Sequence, residues 1–175
     1  ATKVVVANKK LYVNREEGFI GTSMRKDEFV CDCSDIDDII VFKQDGSMKV
    51  VKIDSKVFVG KGIIHTAVFK KKDTRTIYNM IYSDDKTGFS MMKRFNVSSI
   101  TRNKEYFLTR SDKGSKVIYF TANPNGEAET ITVHLRKLQK LKILKFDYDF
   151  ADLAIKGKAS VGNILTKNRV KKIEL

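Results

Sequence analysis

A chain of 175 residues with 42% hydrophobic content, one proline and a formal net charge of +13 has room for one sizeable core and excludes a Pro-rich linker. No apolar run approaches the roughly 20 residues a membrane-spanning helix needs, so no membrane partner is expected. Only two cysteines occur, Cys31 and Cys33, and without a secretory signal a reducing cytoplasm is the default compartment. The chain opens at Ala1-Thr2-Lys3 and stops on the strand-like Lys172-Ile173-Glu174-Leu175, which reads as a piece of a longer protein.

In chain order, residues 4–14 (VVVANKKLYVN) form a first hairpin unit with Lys9 in the turn position. Glu28 to Cys33 follow as a strand, in which Cys31 and Cys33 share one face as small buried side chains rather than as metal ligands. DIIVFKQDGSMKVVKI, residues 38–53, is a hairpin turning at Asp45-Gly46. The run Ile63–Phe69 is strand-like. Residues 78–97, with Gly88, and 116–135, with Asn125-Gly126, repeat the hairpin, and residues 151–173 close the series with Gly162 in the turn. Tyr106–Leu108 and Lys142–Phe146 add short strands. Val133–Leu144 has apolar residues at a loosely helical spacing, with an extended reading left open. The turn glycines lie 42, 38 and 36 residues apart, and Lys9 lies 37 before Gly46. A repeat of about 40 residues with about four strands is the pattern of radial β-blades, whose sheets bury their faces only by stacking on neighbours.

The charge is uneven. Residues 16–38 hold eight acids against Arg25 and Lys26, so the remainder of the chain carries 19 excess positive charges. Such a basic body points to a polyanionic partner. The candidate contacts are the basic residues on or beside the hairpins: Lys49, Lys52, Lys93, Arg94, Lys113, Lys116, Lys156, Lys158, Lys167, Arg169 and Lys171. The loop Lys70-Lys71-Lys72 and the run Arg136, Lys137, Lys140, Lys142 extend the set.

Glu28-Phe29-Val30-Cys31-Asp32-Cys33, followed by Asp38 through Lys52, resembles the blade motif of the C-terminal domains of bacterial type IIA topoisomerase A subunits. That motif runs from an acidic residue through an apolar strand ending in Phe and a polar-Gly turn to a basic-studded strand. The likeness runs through all five hairpins and is nearest to the topoisomerase IV branch found in Bacteroidetes bacteria. It implies an all-β fold: a β-pinwheel of about four four-stranded blades with strands exchanged between neighbours, occupying 1–175 as one domain or part of one. It implies binding and bending of double-stranded DNA on a basic outer rim, as the non-catalytic module of an ATP-dependent type II enzyme. In the family that enzyme is an A-subunit homodimer with two B subunits, and the B subunits hold the ATP site. No cofactor is expected in this chain (ATP and Mg²⁺ act elsewhere in the enzyme), and the module itself is expected to be monomeric.

Two departures matter. Gyrase members of the family carry a basic Q-R-R-G-G-R-G box in the first blade. Here the corresponding stretch is Arg15-Glu16-Glu17-Gly18-Phe19-Ile20-Gly21, with glycines but no basic cluster. This favours topoisomerase IV over the alternative of a gyrase wrapping domain. The family's strand-cleaving tyrosine has no counterpart, and Tyr12, Tyr78, Tyr82, Tyr106, Tyr119 and Tyr148 read as packing residues in strands. Asp147 and Asp149 read as a cap or a solvated edge rather than a catalytic pair. No phosphate-binding G-x-x-x-x-G-K-[ST] loop is present. The reading from another class is a propeller-like scaffold for protein partners, which a broad apolar surface without a positive rim would favour.

Overall fold

Residues 7–110 and 114–175 are described by a computed structural model. Sixteen strands account for its regular structure: β1 Lys9–Asn14, β2 Phe19–Gly21, β3 Glu28–Cys33, β4 Asp38–Lys43, β5 Ser47–Lys52, β6 Val57–Phe58, β7 Ile63–Phe69, β8 Ile77–Ser83, β9 Ser90–Asn96, β10 Glu105–Phe107, β11 Lys116–Asn123, β12 Thr130–Leu135, β13 Lys145–Asp149, β14 Ile155–Gly157, β15 Asn163–Thr166 and β16 Val170–Glu174. One 3-10 turn, Phe150–Asp152, is capped by the Asp149 carboxylate, which accepts from the Ala151 N–H at 2.9 Å. No helix among the described residues is long and apolar enough to cross a membrane.

The chain divides into two compact units. One comprises the described residues through Lys71 with Ser99–Tyr106, and the other Lys72–Ser98 with Phe107–Leu175. In the first unit, one sheet runs β3-β1-β2-β6 and a second β10-β5-β4-β7. In the second unit, β11-β8-β9-β14 form a sheet that β15 joins along β9, and β13-β12-β16 form another. The all-β expectation holds, and the sheets carry four, four, five and three strands.

The hairpins at Gly46 and Gly88 form as expected. β4 faces β5 with Phe42 opposite Met48, and β8 faces β9 with Ser83 opposite Ser90. Three other units differ from the sequence reading. Lys9 is not a turn residue but pairs with Cys33 inside the sheet, and the β1–β2 turn falls at residues 15–18. (Residues 4–6 of that unit lie outside the described residues.) The turn at Gly126 does not fold β11 onto β12: β11 pairs with β8, whereas β12 pairs with β13 and β16. Residues 151–173 are not a hairpin either. β14 runs parallel to β9, β15 antiparallel to it, and β16 joins β12. In the last two of these units strands pair outside their own hairpin, and the same crossover recurs elsewhere. β6 comes after the β4–β5 hairpin yet completes the preceding sheet, and β10 comes after β8–β9 yet completes the sheet of β4 and β5. Alternation identifies a strand but not its partner. Val133–Leu135 end β12, and residues 136–144 continue without helix, since Leu135 N–H already donates to Leu144 O at 2.7 Å and closes the segment into a loop.

Each unit has its own core. Leu11, Val13 and Ile20 pack with Ile39, Val41, Val51 and Ile63 in the first. Cys33 joins them, with Cys31 partly buried beside it, and burial raises the pKa of both free thiols. Ile81, Met92, Ile131, Val133, Leu135, Phe150 and Leu153 form the second core. There the Glu129 carboxylate accepts from Asn79 Nδ2 (2.9 Å), the Tyr119 hydroxyl (2.8 Å) and the Thr121 hydroxyl (2.6 Å), tying β8 and β11 to the segment that enters β12. All six tyrosines lie in strands, as expected. Burial pushes Tyr78 and Tyr82 up to about 12, so both are neutral hydroxyls at ordinary pH.

His65 on β7 stands opposite Phe42, with ring centroids 5.9 Å apart. Burial, with a smaller contribution from the Arg15 charge, pushes its pKa down to about 4 from the usual 6.5. The unfolded chain takes up a proton below pH 6.5 that the folded chain refuses until about pH 4, so stability is lost as pH falls through that window. The full difference is about 3 kcal/mol. Urea midpoints of wild type and His65→Phe at pH 7 and pH 4 test this. The variant, which has nothing to titrate at this position, is expected to lose about 3 kcal/mol less than wild type between the two.

Candidate nucleic-acid interface

The basic side chains fall into three groups by what the strands do with them. Lys52, Lys70, Lys71, Lys72, Lys116, Arg136, Lys137, Lys156, Lys167, Arg169 and Lys171 are exposed, as are Lys140 and Lys142. None of these makes an ion pair with a described residue. Lys49 and Lys158 are half-buried. Lys113 lies outside the described residues.

Lys93 and Arg94 are a correction. The sequence places both on an outer edge, yet both are buried, at 2% and 8% exposure. Adjacent residues on a strand point to opposite faces, and β9 is a central strand whose two faces are both covered, with Ser90 to Phe95 buried throughout. The Lys93 ammonium donates to Leu108 O (3.0 Å), Lys158 O (2.9 Å) and Ser160 O, and lies 4.7 Å from the centroid of the Phe95 ring. Burial pushes its pKa down to about 7. Arg94 donates to Gly126 O at 2.7 Å, clipping the β11–β12 turn. These two cations are internal fasteners and present no charge to a ligand.

Three exposed candidates converge. Lys116 at the start of β11, Arg136 after β12 and Arg169 before β16 line one hollow of about 380 Å³ in the second unit. The Arg136 N–H donates to Arg169 O at 2.8 Å, which fixes the two arginines side by side. Asp84 and Asp85 line the same hollow, so its lining mixes cations with acids. Lys167 sits over the face of Phe89, 5.6 Å from its centroid. Lys70 shares its surroundings with Asp32 and Asp37, which offset its charge. Lys52 pairs in register with Asp38, whose carboxylate is held by Arg102 at 3.0 Å.

The sequence reading misses a basic group in the first unit. Lys9, Lys10, Arg25, Lys26 and Lys56 surround a hollow of about 880 Å³. Arg25 and Lys26 are hidden in sequence because they sit in the acidic stretch, and the signal that could have found them is their place in the short link between β2 and β3. The glycines of the former box position have a structural use. Gly18 O accepts from Val59 N–H (2.8 Å) and Gly60 N–H (3.2 Å), so the exchanged segment around β6 runs against the turn. Glu16 and Glu17 are exposed there, while Arg15 holds Glu28 through two bonds of 3.0 Å and lowers its pKa.

No group of three or more His, Cys, Asp or Glu among the described residues is placed to hold a metal. Asp147 accepts from the Thr132 hydroxyl at 2.7 Å and Asp149 caps the 3-10 turn, so each carboxylate has a local partner.

The chain is 27% identical, over 98% of its length, to the A subunit of DNA topoisomerase 4 from Borreliella burgdorferi, and spans about a quarter (26%) of that protein. The family model for the topoisomerase C-terminal domain of Bacteroidota matches residues 10–175. Through that match, covering every strand from β2 to β16 and nearly all of β1, the chain belongs to the Bacteroidota family of topoisomerase C-terminal domains.

Proposed function

We propose that this chain is the non-catalytic DNA-binding module of a topoisomerase IV A subunit. In this reading residues 1–175 form one β-pinwheel domain of about four blades, monomeric by itself, which holds and bends duplex DNA on its basic edge. It thereby helps an ATP-dependent type II enzyme relax and decatenate DNA. The enzyme would pair an A-subunit homodimer with two B subunits in the bacterial cytoplasm, with ATP and Mg²⁺ used outside this module. The observation that carries the reading is the set of exposed cations, from Lys52 to Lys171, that form no ion pair with a described carboxylate. Cations left without partners are held by counterions, and a phosphate backbone displaces those ions with a gain in entropy and little sequence preference. In the pinwheel reading, contacts on successive blades engage a bent duplex better than a straight one. Bending a 20–30 bp site costs on the order of 1–6 kcal/mol, which added phosphate contacts offset.

Binding of a mixed-sequence 30-bp duplex, measured from 50 to 200 mM salt, tests this. With six to ten phosphates engaged, affinity is expected to fall by about 10³- to 10⁵-fold over that range, with similar values for unrelated sequences. An affinity that barely moves with salt would remove the phosphate mechanism. The runner-up, a gyrase-like wrapping domain, is disfavoured by Glu16 and Glu17 where a wrapping box has cations. A DNA-circle assay separates the two, because wrapping shifts circle topology strongly and edge binding does not.

A further inference from the structure

We infer that the hollow of about 880 Å³ in the first unit is a seat for the sugar-phosphate backbone of duplex DNA, with Arg25 and Lys26 as its central contacts. The inference rests on the DNA-binding reading and assigns part of it to residues outside the basic hairpin strands.

The seat is assembled from three places in the chain. Lys9 and Lys10 open β1. Arg25 and Lys26 occupy a turn closed by Asp27 N–H donating to Met24 O at 3.0 Å, and Met24 is buried, so the turn is anchored while its two cations point into solvent. Lys56 arrives with the segment before β6. Thr22 N–H donates to Asp54 O (3.1 Å) and Ser23 N–H to Ser55 O (3.0 Å), which fixes Lys56 beside the turn. All five cations are exposed, and none is ion-paired to a described residue. Two are held by aromatic faces, which orient a cation without neutralising it: Lys56 Nζ lies 4.5 Å from the centroid of Phe19 and Lys10 Nζ 5.7 Å from that of Phe29. The one acid on the wall, Asp27, already accepts from Asn14 Nδ2 at 3.2 Å.

Charge and size select the ligand. Five cations around one acid exceed what a single small anion neutralises. Duplex DNA supplies a phosphate charge every 1.7 Å or so of axis, so a few base pairs crossing the hollow match them. The neutral donors alongside, Thr22 and Ser23, suit phosphate oxygens. The stretch 16–38 reads as acidic only when summed along the chain. The fold keeps Glu16 and Glu17 in the β1–β2 turn, whereas Arg25 and Lys26, in the link between β2 and β3, line the hollow with Lys9, Lys10 and Lys56. A basic seat thus exists in the unit whose box position carries Glu16 and Glu17.

The test uses the whole chain and the double variant Arg25→Gln/Lys26→Gln, whose exposed positions leave folding intact, checked by thermal melting. Duplex affinity at 100 mM salt is expected to fall roughly tenfold, and the slope of log affinity against log salt to become shallower by about 1.8, two phosphate contacts' worth. Lys9→Gln/Lys10→Gln, on a different strand, is expected to do the same, and inorganic phosphate to compete only weakly. If wild type binds duplex with a steep salt slope and both variants match it, this inference fails and the DNA-binding reading stands. If wild type does not bind duplex, that reading fails first. Anionic vesicles captured more tightly than duplex, and lost with the same variants, would overturn the assignment to DNA.

Discussion

Replacing Lys93 with alanine is expected to destabilise the protein by about 3–5 kcal/mol, one of the largest effects of any single lysine in the chain. The ammonium is the common donor for three carbonyls, those of Leu108, Lys158 and Ser160, from segments far apart in sequence. Alanine leaves all three without that donor and empties the space its stem fills, and each buried carbonyl left unpaired costs about 1–3 kcal/mol. Lys93→Met separates the contributions: it refills the stem's volume and removes the buried charge while still leaving the carbonyls without a donor. It is expected to cost less than alanine. A pH signature accompanies this. Burial puts the folded pKa at about 7, below the ordinary 10.5. Between these values the unfolded chain binds the extra proton, so stability rises as pH increases from 7 toward 10.5. The neutral amine retains two N–H donors for the three carbonyls, which keeps the fastener closed at high pH. Denaturant midpoints at pH 7 and pH 9 should therefore rise for wild type relative to Lys93→Met. Equal shifts in both proteins would show that Lys93 does not titrate in that range, and an alanine variant as stable as wild type would show that the three bonds contribute nothing net.

The burial of Lys93 and Arg94 marks the boundary of what this sequence reveals. Features fixed by neighbours in the chain are legible. Asp45-Gly46 and the Gly88 turn specify hairpins locally, and β4 reads as an apolar run because both its faces are covered. The family motif draws on the same local signals. Features fixed by distant segments are not legible. β6 is two residues long, and nothing local says that Val57-Phe58 completes the sheet of β2 rather than extending the β4–β5 hairpin. Whether a cation on β9 faces water depends on β14, β15 and the 158–160 loop, which arrive more than sixty residues later. Arg25 and Lys26 escape notice for a related reason. Charge counted along a window averages Arg25 and Lys26 with neighbouring acids, whereas the fold gathers them with Lys9, Lys10 and Lys56 around one hollow. Lys116, Arg136 and Arg169, by contrast, stand out in sequence by their positions beside hairpin strands and do converge on one hollow, because β11, β12 and β16 bring their ends to the same side.

Gly18→Ala is expected to cost at least about 3 kcal/mol, far more than its exposed loop would suggest. Two independent constraints act there. The residue has φ of +82°, a conformation disfavoured for any side chain. A Cβ would also lie 2.2 Å from the Gly60 carbonyl carbon and 2.3 Å from its oxygen, both backbone atoms that cannot swing aside. Relief requires moving the segment after β6 away from the turn, which breaks the bonds from Val59 and Gly60 to Gly18 O and exposes the core edge at Val59. The companion variant Glu16→Arg/Glu17→Arg changes four units of charge in the same loop without touching these contacts. Both side chains are exposed, and the Glu17 backbone N–H keeps its bond to Asn14 Oδ1. Its stability is expected to stay within about 0.5 kcal/mol of wild type, while duplex affinity at low salt rises, since two phosphate-repelling groups become phosphate-binding ones. Melting curves and the salt titration together separate the two properties of this loop. If Gly18→Ala melts like wild type, the exchanged strand does not hold the turn. If the arginine pair leaves affinity unchanged, duplex DNA does not pass the β1–β2 turn, and contact in this unit is left to the hollow that Arg25 and Lys26 line.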